Sequence, residues 1–293
     1  MLGLYGAAFF VPLYGVMRLA AEWSGWTFPF ESDRLFSALV VARGWSALLS
    51  TLTVWLVYRI GRRLSGPTVG LVAATLLAVC PLAVREAHSA KPDSAAMAAT
   101  ALWLLAALRP APSPPWRALA LGALTAFVVD LKLLLGIVPA LGFTLFYESD
   151  ESRSRWRSVA LAFVAFCAAT LLLRWYVLVH PREWAVFLPL LLDTTRPDRF
   201  PGAADVAGPL RYHTMVSLRF GCGLLAALLA PVALARGILG GRKLQLLAAC
   251  AIGLSVPVML STVVLARYIL PILPALFVLI AVVIVESTVR APR

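Results

Sequence analysis

The sequence is poor in charged residues, and histidine is scarce. Charged side chains make up 14% of its 293 residues and there are 3 histidines, whereas about a quarter of a soluble domain is charged. Apolar residues account for 61% of the chain, and its mean hydropathy is +0.88. This composition excludes a single water-soluble globule and indicates a membrane protein. The few histidines also argue against a His-rich metal site.

The catalytic motifs of soluble enzymes are absent. The sequence contains no P-loop, no HExxH, no GxSxG and no glycine-rich dinucleotide fingerprint. The start MLGLYGAAFF lacks the basic region of a signal peptide, so we expect it to be retained. Four cysteines lie within apolar segments without metal-type spacing and are interpreted as small core residues rather than a disulfide framework. They are Cys80, Cys167, Cys222 and Cys250.

Apolar stretches recur along the whole chain. About 20 helical residues cross the hydrocarbon core of a bilayer, and helices satisfy their own backbone groups there. The stretches are 1–21, 38–58, 68–85, 93–108, 116–129, 131–147, 158–179, 213–235, 244–265 and 267–286. They predict an all-α fold, a polytopic membrane helical bundle of about 9–10 hydrophobic helices within one transmembrane domain, 1–293. The first stretch either crosses the membrane or lies on its outer face, and 93–108, 116–129 and 131–147 are short for spans.

The excess of basic residues predicts the orientation. Lys and Arg total 26 against 14 Asp and Glu, a net charge of +12. Basic tracts follow every second apolar stretch, so they are expected on the cytoplasmic side of the membrane. This position accounts for the positive charge, which in a soluble protein would suggest nucleic-acid binding. We therefore expect residues 1–37 to form a first span or juxtamembrane helix plus an outer loop. Residues 38–179 would form core spans, 180–212 an extracytoplasmic loop and 213–293 the C-terminal spans.

A cluster of ionisable residues lies in the predicted outer turn 85–93. Ionisable groups at membrane depth are costly, so each is a functional hypothesis. In one interpretation Asp93 caps the next helix, a stabilisation of about 0.3–1 kcal/mol. In the other, the turn is the wall of a polar cavity. His88 then donates or accepts a hydrogen bond, and Arg85 or Lys91 faces a phosphate.

Three further sites carry polar residues near predicted outer span ends. Asp130 and Lys132 indicate either a break at the outer surface or a neutralising pair at a helix end. Arg267, beside Tyr268, has no acid nearby in sequence. It either extends to the interface or meets a distant carboxylate or an anionic ligand. His213 follows Tyr212 just before a predicted span.

Five segments, in order, resemble the polytopic C-type glycosyltransferases of family 39, which include relatives of protein O-mannosyltransferases and of the lipid A aminoarabinose transferase. These segments are 42–84, REAHSAKPDSA at 85–95, ALTAFVVDLKLLLGIVPAL at 123–141, 210–234 and ARYILPILPAL at 266–276. Many family members have a His followed five residues later by an Asp, and His88 and Asp93 match these two positions. Lys132 matches a lysine of the family. Members often have Thr before that lysine and an aromatic residue after it, whereas this chain has Leu131 and Leu133.

The resemblance implies transfer of a sugar from a polyprenyl-phosphate donor to a protein, lipid or glycan acceptor. The reaction would occur at the extracytoplasmic face of the bacterial cytoplasmic (inner) membrane, often with a divalent metal cation. It further implies that cations bind the donor phosphate and that polar side chains shape the same cavity. The phosphate candidates are Lys132, Arg267, Arg85 and Lys91; the cavity candidates are His88, Asp93, Tyr268 and His213.

One departure from the family pattern concerns the catalytic base. Members carry an acidic pair in the outer loop after the first span, but residues 1–21 contain no acid. Glu22, Glu31 and Asp33 come too late in the family order. We therefore expect either that the true start lies upstream or that the chain is a truncated or degenerate member of the family. The alternatives are a non-catalytic lipid-binding or scaffolding relative, or a transporter, although the internal repeats typical of transporters are not visible.

We predict that this polypeptide, by itself, lacks transferase activity because the acidic pair is missing from it. The measurement is sugar transfer by the purified chain supplied with a polyprenyl-phosphate-linked donor and an acceptor. Detectable transfer would contradict the prediction.

Overall fold

The fold was analysed in a computed structural model that describes residues 7–24, 35–108, 115–132, 137–138, 140–141, 144, 152–175, 179, 207–259 and 265–290. Over these residues the secondary structure is helical, which confirms the predicted all-α bundle. The helices of the N-terminal half are α1 Ala7–Ser24, α2 Leu35–Ser65, α3 Pro67–Ala78, α4 Pro81–Ala87, α5 Asp93–Ala107, α6 Pro115–Lys132 and α7 Ser152–Leu173. Those of the C-terminal half are α8 Ala207–Tyr212, a π-helix His213–Cys222, α9 Leu224–Ile238, α10 Arg242–Met259, a 3₁₀ helix Ala266–Ile272 and α11 Leu273–Arg290.

Several of these helices are long and apolar enough to cross a membrane, so the chain is an integral membrane protein. By length and hydropathy there are four such helices in the described part, or five if the bent pair α3–α4 forms one span. The four are Phe36–Ser65, Trp156–Leu173, Arg242–Met259 and Ala266–Val289. Helix α1 has 18 residues with Pro12 inside it and is not among them. The predicted stretch 131–147 lies mostly outside the described residues.

Three predicted spans are interrupted rather than continuous. Stretch 68–85 divides into α3 and α4, which meet at an angle of 63° before Pro81. Stretch 213–235 begins as a π-helix and becomes α-helical only after Gly223, whose φ of 95° is in the glycine-favoured region. Stretch 267–286 begins as a 3₁₀ helix containing Pro271. Hydropathy detects apolar length but not these local backbone changes.

Helix α11 lies at the centre of the bundle. Its residues from Leu273 to Val282 are all buried. It packs against α9, α3 and α10. A second contact joins α5 to α6, where the buried Trp103 indole Nε1 donates a hydrogen bond of 2.9 Å to Thr125 Oγ1. Helix α11 therefore contacts helices from both halves of the chain.

Two glycines allow the α2 and α3 backbones to approach closely. A Cβ atom at Gly61 would lie 2.7 Å from Gly70 Cα, and one at Gly70 would lie 2.6 Å from Tyr58 O. Small residues at such crossings let helices pack at short distance in membranes. The turn between the two helices uses Gly66, with a φ of 103°, followed by Pro67 at the first helical position, as the Gly-Pro pair in the sequence predicts.

We predict that Gly70→Ala destabilises the protein because its methyl group meets the backbone of α2. The expected cost is about 1–3 kcal/mol, typical of overpacking, measured as a lower thermal unfolding midpoint in detergent. Gly44→Ala is the matched control, since a Cβ at Gly44 in α2 meets no atom within 4 Å. Equal midpoints for the two variants would contradict the proposed close crossing.

Candidate functional site

An ion pair joins the start of α5 to the 3₁₀ helix. Asp93 is the first residue of α5 and is 2% exposed. Its Oδ2 lies 3.7 Å from Nε of Arg267. The distance is within ion-pair range but longer than a hydrogen bond. Arg267, which has no acid nearby in sequence, therefore faces a distant carboxylate, and Asp93 occupies the positive end of its helix as expected.

The preceding turn contains a second acid with an arginine. Nε and Nη2 of Arg85 donate hydrogen bonds of 3.0 and 2.7 Å to Glu86 Oε1. Glu86 is 4% exposed, and its Oε2 has no hydrogen-bond partner among the described residues. The sequence predicts Arg85, but not Glu86, as a site residue. Proximity to the other ionisable residues was the only sequence signal for Glu86.

Hydrogen bonds between small side chains fix this turn to the bundle. Ser50 Oγ in α2 donates a hydrogen bond of 3.0 Å to Ser94 Oγ in α5. Ser94 Oγ in turn lies 3.5 Å from the Glu86 carbonyl oxygen, which also accepts a hydrogen bond of 3.0 Å from the Ser89 N–H. The turn between α4 and α5 is therefore attached to α2 as well as to the 3₁₀ helix.

The other predicted residues of this turn are more exposed. His88 ends α4 and Lys91 follows three residues later, and both are exposed. Tyr268, beside Arg267, is half-buried. The structure thus brings Asp93 and Arg267 into contact, whereas His88 and Lys91 lie on the surface of the same turn.

A third ion pair lies where α6 and α7 end. Arg174 Nε donates a hydrogen bond of 2.9 Å to Asp130 Oδ1, and the side chains are 16% and 3% exposed. Arg174 Nη2 is buried without a hydrogen-bond partner in the described part. Helix α6 runs through Asp130 to Lys132, so Asp130 lies in the last turn of the helix. The side chain of Lys132 lies outside the described residues.

An apolar cavity adjoins the 3₁₀ helix. Its volume is about 530 Å³, and its wall includes Ile269 and Ile272 of the 3₁₀ helix. His213 forms part of the wall and is completely buried. Its Nδ1 lies 2.8 Å from Ser217 Oγ, while Nε2 has no hydrogen-bond partner among the described residues. The cavity therefore combines a large apolar surface with one buried polar atom whose hydrogen-bonding capacity is unused.

The described residues do not offer a divalent cation a suitable set of ligands. They contain no group of three or more His, Cys, Asp or Glu side chains that could hold a metal ion. The two buried acids nearest the turn are already paired with arginines, Glu86 with Arg85 and Asp93 with Arg267.

Comparison with known proteins supports the resemblance in the sequence. The family of dolichyl-phosphate-mannose-protein mannosyltransferases matches residues 34–175. No curated protein matches the chain. Among solved structures, ArnT from Cupriavidus metallidurans in the apo state matches with a TM-score of 0.62 and 19% identity, covering 96% of this chain and 49% of that one. The same protein bound to undecaprenyl phosphate also matches with a TM-score of 0.62 and 19% identity, covering 96% of this chain and 50% of that one.

The structural matches and the family match support different conclusions. At 19% identity the ArnT structures show a shared fold, and the chain spans about half of the ArnT length. The family match covers nearly half of the chain and includes the turn with Asp93 and the helix ending at Lys132. Residues 34–175 are thus similar to the dolichyl-phosphate-mannose-protein mannosyltransferases, and the chain shares its fold with the ArnT structures.

Proposed function

We propose that the chain binds a polyprenyl-phosphate-linked sugar donor as part of a membrane glycosyltransferase. The donor phosphate binds at Arg267, and the prenyl chain lies in the apolar cavity. One observation carries this proposal: the 3₁₀ helix Ala266–Ile272 presents Arg267 to the buried turn and Ile269 and Ile272 to the cavity. A phosphate and a long apolar chain are the two parts of such a donor.

Arg267 is suited to an incoming phosphate. A guanidinium has five N–H donors, and the separation of 3.7 Å from Asp93 is longer than a hydrogen bond. The Arg267 side chain is 24% exposed, so an anion can reach it from the open side. Asp93 is then a positioning residue that holds the guanidinium through charge attraction.

Three other cations are proposed to assist at the phosphate. Lys132 ends α6, Arg85 lies in the last turn of α4, and Lys91 lies in the turn before Asp93. In this proposal their positive charge stabilises a departing lipid phosphate, which lowers the free energy of the transition state. Arg85 must first exchange part of its contact with Glu86. His88 and Tyr268 are proposed to line the same polar region.

The cavity is suited to the prenyl chain. Its wall is apolar apart from a few polar groups that include His213, and burial of each CH₂ group contributes about 0.8 kcal/mol. The unused Nε2 of His213 can donate or accept a hydrogen bond only at the phosphate and sugar end of the ligand, because the prenyl chain has no polar group. The ArnT structure with undecaprenyl phosphate supports this class of ligand in a related fold.

Sugar transfer is proposed on the extracytoplasmic side of the bacterial inner membrane, as the family resemblance implies. The basic tracts favour the orientation that this location requires. The acceptor hydroxyl would need a carboxylate to remove its proton. Glu86 and Asp93 are both paired with arginine, so neither is assigned as that base. We retain the whole chain, 1–293, as one transmembrane domain in this proposal.

We predict that Arg267→Gln weakens binding of undecaprenyl phosphate at least tenfold. The reason is the loss of a charge-assisted hydrogen bond, which contributes about 1.5–3 kcal/mol. The measurement is the Kd of the purified chain in detergent by microscale thermophoresis or quenching of tryptophan fluorescence.

Arg59→Gln is the matched control for this measurement. Arg59 lies near the C-terminal end of α2. Its guanidinium carbon is 5.0 Å from the centroid of the Trp55 ring. It should leave the Kd unchanged. Equal affinity of the wild type and Arg267→Gln would remove Arg267 from the phosphate site.

We predict that Ala227→Phe weakens binding of long-chain lipid phosphates while leaving short-chain ones almost unaffected. Ala227 lines the cavity, and an added phenyl ring would occupy space needed by the prenyl chain. The measurement compares the Kd values of undecaprenyl phosphate and geranyl phosphate in both proteins. The neighbouring Leu228→Phe is the control because Leu228 is 64% exposed and does not line the cavity. If both variants behave alike, the chain does not lie in the cavity.

A further inference from the structure

The helical segment 207–222, formed by α8 and the π-helix, has an inward and an outward face. On the inward face His213 and Ser217 are buried, and Thr214 and Leu218 are half-buried. His213, Thr214 and Leu218 line the cavity. The outward face is defined by the exposed side chains Leu210, Arg211, Met215, Val216, Arg219 and Phe220. It therefore combines apolar side chains with two arginines.

The charges of Arg211 and Arg219 are not compensated by acids of the protein. No acid among the described residues forms an ion pair with either of them. By contrast, Arg174 and Arg236 each bind a carboxylate. The guanidinium carbon of Arg219 is 5.3 Å from the centroid of the exposed Phe220 ring, a cation–π contact. Both guanidinium groups therefore need water or an anion from outside the chain.

The positive-inside rule does not account for these two arginines. Helix α9 leads from the π-helix to Arg236, which lies in a predicted cytoplasmic basic tract. Leu224 and Arg236 are separated by a rise of about 18 Å along a straight helix, and Arg219 lies about one turn beyond Leu224. The separation of Arg219 from Arg236 thus approaches the thickness of the hydrocarbon core, about 30 Å. Arg219, and Arg211 beyond it, therefore lie near the opposite membrane boundary, where the rule expects no excess of cations.

We propose that the outward face binds the headgroups of anionic phospholipids through Arg211 and Arg219. Guanidinium groups bind phosphate oxygens through charge-assisted hydrogen bonds. The acyl chains then lie against Met215, Val216 and Phe220, which a soluble anion would not cover. A headgroup with a net negative charge is favoured over phosphatidylcholine, because the choline ammonium is repelled by the arginines. The inference goes beyond the proposed function and does not rest on it.

A phospholipid at this surface would lie against the outside of the cavity wall. Leu218 faces the cavity, whereas the adjacent Arg219 is exposed on the outward face. The wall between the two sides is the π-helix itself, which ends before Gly223. The cavity and the outward face can therefore be occupied by different lipids at the same time.

The experiment maps lipid contacts of the full chain in phosphatidylcholine nanodiscs. A trace of phosphatidylglycerol or of phosphatidylcholine carries a diazirine at the same acyl position, and crosslinked peptides are quantified by mass spectrometry. Labelling of the outward face is normalised to Phe163 and Val164 of α7, which are 65% and 60% exposed. We expect phosphatidylglycerol to label the outward face at least about fivefold more than phosphatidylcholine. Equal labelling of the wild type by the two lipids would overturn the proposal.

Glutamine variants test the two arginines. Arg211→Gln and Arg219→Gln should each lower the preference for phosphatidylglycerol about fivefold or abolish it, and the double variant should have none. Arg18→Gln is the matched control, because Arg18 is also exposed but lies 3.0 Å from Glu22; it should retain the preference. A preference retained by both single variants would overturn the assignment, even if the double variant fails to fold.

Two further arms separate this surface from other anion sites. Inorganic phosphate, exchanged for chloride at constant ionic strength, should leave the preference unchanged. Its loss would identify a site for a soluble anion and would overturn the assignment to phospholipid. Arg267→Gln should also retain the preference, because Arg267 belongs to the proposed donor site. Loss of the preference in that variant would place the lipid at the donor site and contradict the inference.

Discussion

The arrangement of the candidate site depends on the charge of Arg267. A guanidinium at membrane depth is costly unless an opposite charge or water compensates it. Asp93 supplies that charge from the first turn of α5, where the helix dipole also favours a carboxylate. The pairing requires α5 and the 3₁₀ helix to lie side by side, and the 3₁₀ helix leads directly into α11 at the centre of the bundle. One ion pair therefore joins the polar turn to the apolar core.

The segments with irregular backbone lie close to the Asp93–Arg267 ion pair. The bend before α4, the π-helix and the 3₁₀ helix contact one another. Irregular backbone is tolerated at membrane depth only where protein covers it or where it lines a cavity. Here the π-helix and the 3₁₀ helix do line a cavity, the one that contains His213. The interruptions of three predicted spans and the position of the candidate site thus have one physical explanation.

The sequence allowed the helical class, the apolar stretches and the position of Asp93 at a helix start to be predicted, because each follows from local composition and spacing. It also showed that Arg267 needed a partner, without showing which one. The Asp130–Arg174 pair and the orphan oxygen of Glu86 escaped prediction, since they depend on contacts between side chains far apart in sequence or on burial. Hydropathy likewise treats a π-helix and an α-helix as equal when both are apolar.

Ligand binding and chemical catalysis have different electrostatic requirements at this site. A lipid phosphate binds most easily to a cation that is not held by a short hydrogen bond to a carboxylate. Arg267 fits this requirement, because its Nε lies 3.7 Å from Asp93 Oδ2. Removing a proton from an acceptor needs a carboxylate that is not neutralised, whereas Glu86 and Asp93 are both beside arginines. In the proposed complex, the donor phosphate and the Asp93 carboxylate would share the positive charge of the Arg267 guanidinium. Donor binding would thus change the charge balance of the turn, whichever carboxylate removes the proton of the acceptor.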